Sequence, residues 1–123
     1  LVWIFGKVKD NIVHVREDDR PAGVLHLERA RVRWFLSINY DYIPEDIKKQ
    51  NKRTYRAITI DGEEIEFSEG FGDLHTRSYE EILKGNGFGL DQALVCIQTV
   101  HDIRSASISP LTGDYHPMIK SKP

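Results

Sequence analysis

Between positions 30 and 40 the chain alternates with period two. Ala30, Val32, Trp34, Leu36, Ile38 and Tyr40 take one parity; Arg31, Arg33, Phe35, Ser37 and Asn39 take the other. Successive side chains of an extended strand point to opposite faces, so this stretch predicts a strand over 30–40 in a sheet with one apolar face and one wetter face. Antiparallel partners are available on its N-terminal side. The residues 11–16 are β-rich through Ile12, Val13 and Val15, a polar turn follows at 17–21, and 23–28 reads as a returning strand.

Local signals place the remaining elements. Tyr42-Ile43-Pro44 ends the long strand, and Glu45 and Asp46 ahead of Lys48 and Lys49 give a short helix the charge order its dipole favours. The runs 53–60 and 63–67 flank Asp61-Gly62, a pair suited to the two positive φ angles of a type I′ hairpin turn. Asp73 is placed to cap a helix of about eleven residues ending at Gly85, a length consistent with ordinary globular helices. A second helix is expected over 90–107, with Ala93, Cys96, Ile97, Val100 and Ile103 as its buried face, Pro110 as its stop and a mobile tail over 108–123. Strands first and helices last predict an α+β fold: an open, mainly antiparallel sheet with one face covered by C-terminal helices.

The totals narrow the class. With 123 residues, the chain is read as a single domain. Seventeen basic against nineteen acidic residues leave a formal charge of −2, which disfavours a strongly basic nucleic-acid binder. A lone cysteine, Cys96, rules out an internal disulfide and a thiolate zinc site. The longest apolar run, 1–5, is far short of a membrane span, and no signal peptide is evident, so the cytoplasm is the expected compartment. The chain opens on Leu-Val-Trp-Ile-Phe before Gly6, which reads as the last turn of a helix and suggests a piece of a longer protein.

Most candidate sites reduce to ordinary structure. Gly85-Asn86-Gly87-Phe88-Gly89 lacks the third glycine of a dinucleotide loop, since position 90 is Leu90, and it follows a helix where that loop follows a strand. None of His14, His26, His75, His101 and His116 has helical metal-ligand spacing, and no metal is expected; His14 and His26 read as structural imidazoles facing each other across the first hairpin. Lys48, Lys49, Lys52 and Arg53 form the main basic cluster, but the neighbouring carboxylates favour a solvated loop. The stretch 71–79 is denser in functional groups. There Asp73, His75 and Arg77 sit at a helix start, where free N–H groups favour anions and Arg77 can add charge-assisted bonds. The competing reading is a capping Asp73 with a solvated first turn.

The runs Ala30-Arg31-Val32-Arg33-Trp34-Phe35-Leu36-Ser37, Thr54-Tyr55-Arg56-Ala57-Ile58-Thr59 and Glu66-Phe67-Ser68-Glu69-Gly70-Phe71 through Leu83 resemble the C-terminal half of the Gfo/Idh/MocA oxidoreductases. Within that group they are most similar to the dehydrogenases of UDP-N-acetyl-2-amino-2-deoxyglucuronate from bacterial surface-polysaccharide synthesis. The resemblance extends over about 1–106. It implies a parent protein with an N-terminal Rossmann domain binding NAD, which oxidises the sugar C3 hydroxyl of a UDP-linked N-acetylglucosaminuronic acid. It further implies that this chain is the substrate-binding and oligomerisation part, with a UDP-sugar partner, Asp73, His75 and Arg77 as substrate-binding residues, and self-association through the sheet face. The chain has no glycine-rich loop and no Glu-Lys-Pro segment with its active-site lysine, so it is expected to hold no cofactor and no catalytic residue of its own and to be inactive alone. The alternatives are a non-catalytic α+β interaction module and a small complete enzyme.

Overall fold

The computed structural model describes residues 1–69 and 72–121. In chain order its elements are α1 (Val2–Phe5), β1 (Val8–Arg16), β2 (Pro21–Leu27), β3 (Arg31–Phe35), α2 (Glu45–Lys49), β4 (Ala57–Ile60), β5 (Glu63–Glu66), α3 (Leu74–Leu83) and α4 (Leu90–Ser105), with 3-10 turns at Tyr40–Tyr42 and Pro117–Ile119. The chain is α+β, with two open antiparallel sheets. It divides into two compact units, one formed by Leu1–Asn39 with Gly89–Pro123 and the other by Tyr40–Phe88.

The first unit is built on the three-stranded meander β1-β2-β3. Its core is Val13, Ala22, Val24, Leu25 and Leu27, joined by Ile119. The β2 strand is central and almost wholly buried, which is why it reads Ala-Gly-Val-Leu and not as a clean alternation. Gly23 has a steric role there. A Cβ at this position would strike the Ile12 carbonyl and lie 2.9 Å from the Trp34 ring, so only glycine lets the strands and the indole close up.

The β3 strand ends at Phe35, five residues before the expected limit. Its partner supplies the reason. Leu36 N–H still donates to the Pro21 carbonyl, but Pro21, the first residue of β2, has no N–H to return the bond. Leu36 and Ile38 are consequently exposed despite their apolar parity. The first hairpin also differs from expectation. His26 pairs with Asp10, and an irregularity between Val13 and Val15 carries His14 out of the ladder, so the two imidazoles are not cross-strand partners.

α1 ends at Gly6 with φ +88°, the glycine stop expected from the opening residues. α4 packs beside β1. There the Arg16 guanidinium donates to the carbonyls of Ile103 and Ala106, satisfying acceptors at the helix C-terminus. Of the face expected to be buried, Ala93 and Ile103 are half-buried, whereas Cys96, Ile97 and Val100 are exposed. The residues 108–121, expected as a tail, lie against the sheet: Ile108 bridges Val13, and Ser109 N–H donates to the Val13 carbonyl at 2.8 Å. Lys122 and Pro123, the end of that expected tail, lie outside the described residues.

The second unit holds α2, the β4-β5 hairpin and α3. The hairpin turns at Asp61 (φ +51°) and Gly62 (φ +89°), the two positive angles that an Asp-Gly pair accepts most readily. Two members of the expected basic cluster are paired with carboxylates, Lys48 with Glu45 at 2.8 Å and Lys52 with Glu69 at 2.9 Å. Tyr55 donates to the Glu64 carboxylate at 2.6 Å, which, with burial, pushes its phenol up to about 12.

Candidate functional site

α3 starts after Asp73 and ends at Leu83, with Lys84 as its C-cap and Gly85 in the left-handed region at φ +81°. The expected boundaries hold. The expected cap does not: Asp73 occupies the cap position, but its side chain makes no capping hydrogen bond. The backbone N–H of Arg77 donates to the Asp73 carbonyl at 3.0 Å, so the two side chains sit one helical turn apart on the same side.

Asp73, Leu74 and Arg77 line a surface hollow of about 460 Å³ together with Glu69 and Gly72. Glu69 is already engaged by Lys52. Among the described residues the Arg77 guanidinium forms no ion pair, and Arg77 lines the hollow. The helix start adds backbone N–H groups to the same side. Chemically the hollow presents one cation and one carboxylate a turn apart, an arrangement able to hold an anion with a hydroxyl or amide beside it. His75 belongs to the same helix start but does not line the hollow. The structure therefore brings together Asp73 and Arg77 and leaves His75 apart from them. Phe71, which opens the stretch singled out in the sequence, lies outside the described residues.

A second cleft, of about 350 Å³, lies in the first unit. It is lined by Ile12, Val24, His14, His26, Arg31 and Asp114, among others. Arg31 Nε approaches Asp114 Oδ2 at 3.0 Å, a Coulombic contact outside hydrogen-bond angles, and Arg33 lies 3.7 Å from the other carboxylate oxygen. The His116 ring stacks on Phe35 at 5.7 Å. Burial, and after it the Arg33 guanidinium, hold the His116 imidazolium below the usual histidine range. No local pattern in the sequence joins Asp114 to Arg31 or to His14.

Among the described residues no group of three His, Cys, Asp or Glu side chains is placed to hold a metal. The described residues do not fit a dinucleotide either. The glycines at 85, 87 and 89 connect α3 to α4, with no strand leading into them, so the strand–glycine–helix cradle is lacking. No helix among the described residues is long and apolar enough to cross a membrane.

No protein-family model matches the chain. Solved structures do. The chain is 49% identical to the WlbA (WbpB) dehydrogenase from Thermus thermophilus in a crystal structure with NAD and alpha-ketoglutarate, with a TM-score of 0.90 over 96% of this chain and 38% of that one. A structure of the same dehydrogenase in complex with NAD and UDP-GlcNAcA matches at 48% identity and a TM-score of 0.89, with the same coverage. The resemblance drawn from the sequence holds: the chain is similar to part of such a dehydrogenase and spans about 38% of the length of the structures it matches.

Proposed function

We propose that this chain is the substrate-binding and oligomerisation part of an NAD-dependent nucleotide-sugar dehydrogenase of surface-polysaccharide synthesis. The carrying observation is a 48% identical, near-superimposable match across 96% of the chain to a dehydrogenase solved with NAD and UDP-GlcNAcA. In the parent, the reaction oxidises the sugar C3 hydroxyl of a UDP-linked N-acetylglucosaminuronic acid to a ketone. NAD is held by the part of the parent outside this chain, which spans about 38% of the dehydrogenase it matches. What this chain supplies is the positioning of the sugar nucleotide, on which hydride transfer depends steeply.

Asp73, His75 and Arg77 are the proposed substrate-binding residues, with Arg77 and the α3 start facing an anionic group of the substrate. The hollow they border supports this for Asp73 and Arg77, while His75 would have to reach the ligand from beside it. Self-association through the sheet face belongs to the same proposal. The Arg31 and Arg33 side chains remain 64% and 53% exposed beside Asp114, leaving them available to a second copy. The compartment proposed is the cytoplasm.

The test is a comparison of the full-length parent with this chain. The parent is expected to form NADH from its UDP-sugar and the chain alone to form none; turnover by the chain alone would overturn the reading. A non-catalytic interaction module is the second reading, favoured by the exposed Leu94, Ile97 and Val100 on α4. A parent lacking a Rossmann fingerprint upstream of Leu1 would select it.

A further inference from the structure

His14 is only 7% exposed, and both of its ring nitrogens face backbone carbonyl oxygens: Nδ1 lies 3.0 Å from Pro110 O and Nε2 3.1 Å from Asp114 O. A carbonyl oxygen can only accept. A neutral imidazole has one N–H and one lone pair, so it satisfies one of these oxygens and opposes the other. The imidazolium donates to both. The two acceptors bracket the loop 110–114, which turns at Gly113 with φ +73°. They clamp it over the cleft floored by Ile12 and Val24.

From this geometry we infer that His14 is a proton-dependent latch. The charged ring fastens the loop 110–114 across the sheet, and loss of its proton frees one carbonyl and loosens the loop over the cleft. Asp114 on the loop, Arg31 on β3 and His26 on β2 share the cleft with the ring, and Arg33 reaches the same Asp114 carboxylate. Tyr115 meets the ring edge-on at 6.4 Å and is itself covered by Lys120.

The far end of the same segment responds in the opposite sense. His116 Nδ1 accepts from the Met118 N–H at 3.2 Å, so protonation there removes an acceptor and sets a cation near Arg33. Acid thus tightens the His14 end and loosens the His116 end, and the two must be separated to be read.

The experiment uses the full chain carrying His116→Asn, which removes the second titration and keeps an acceptor for Met118. Nitrogen-15 NMR reports the protonation of His14, and hydrogen exchange of the Ser109 amide, bonded to the Val13 carbonyl, reports whether the segment is seated. Both His14 nitrogens are expected to carry protons while Ser109 is protected. As the ring deprotonates, exchange corrected for its intrinsic pH dependence should speed up roughly ten- to a hundredfold, the worth of one hydrogen bond to a charged group. Adding His14→Gln should abolish that pH dependence. A His14 that is a single neutral tautomer while Ser109 stays protected would overturn the latch, as would an unchanged pH dependence with His14→Gln. Should the Gln variant fail to fold, the nitrogen-15 spectrum with His14 intact decides alone.

Discussion

Gly23, Tyr55, Asp73 and His116 each carry a consequence that a single side chain decides. At Gly23 the missing Cβ makes room for the Ile12 carbonyl and the Trp34 ring. Gly23→Ala is therefore expected to cost about 1–3 kcal/mol by overpacking, read as a lowered urea midpoint with an unchanged slope. Tyr55 should ionise near 12 in an ultraviolet titration because its hydroxyl is held by Glu64, and Glu64→Gln should bring it back towards 10.0. Asp73 sits at the start of α3 without a side-chain cap bond, so Asp73→Ala should cost about 0.5 kcal/mol from charge–dipole attraction and not the ~1 kcal/mol of a lost cap. His116 binds a proton less readily folded than unfolded, since burial and Arg33 depress it. Its contribution to stability is full above the ordinary histidine value of 6.5 and is lost as the pH falls through the lower folded-state value. Removing the titration with His116→Asn should flatten that acid limb of a stability–pH curve.

At the scale of elements, short-range chemistry and partners divided the outcome. The β4-β5 turn formed at Asp61-Gly62 and α3 stopped at Gly85, because positive φ at a given position is a property of that residue. Gly62→Ala, at φ +89°, is accordingly expected to lower stability by about 1 kcal/mol, measured by thermal unfolding. β3 behaved differently: its own alternation runs to position 40, yet it stops at Phe35 because Pro21 across the ladder cannot donate. A strand's length is a joint property of two segments. The apolar stripe of α4 is similar, for Ile97 and Val100 have the right period but no neighbour among the described residues buries them.

For the whole molecule, substrate binding turns on the α3 start. Arg77→Ala in the full-length parent should weaken UDP-sugar binding roughly ten- to a hundredfold, the loss of one charge-assisted contact, with the melting temperature unchanged. Unaltered affinity with Arg77→Ala and His75→Ala would reduce the segment to an ordinary helix start. Self-association is checked by sedimentation, where a monomer at high micromolar concentration would remove the sheet face from the proposal.

The sequence by itself determined the α+β class, the hairpin turn, the ends of α1 and α3, and the resemblance that the solved dehydrogenases bear out. Each rests on residues close together in the chain, whose backbone preferences act locally, or on a pattern shared with relatives. The placement of Asp73 beside Arg77 was legible too, because one helical turn fixes it. Only the tertiary structure decided that His75 stands apart from the hollow, that 108–121 lies on the sheet, and that Asp114 meets Arg31 and the His14 ring. Those contacts join positions 83 and 100 residues apart. No local preference encodes such a pairing; it forms because a loop carrying carbonyls and a carboxylate finds the strands that present the donors.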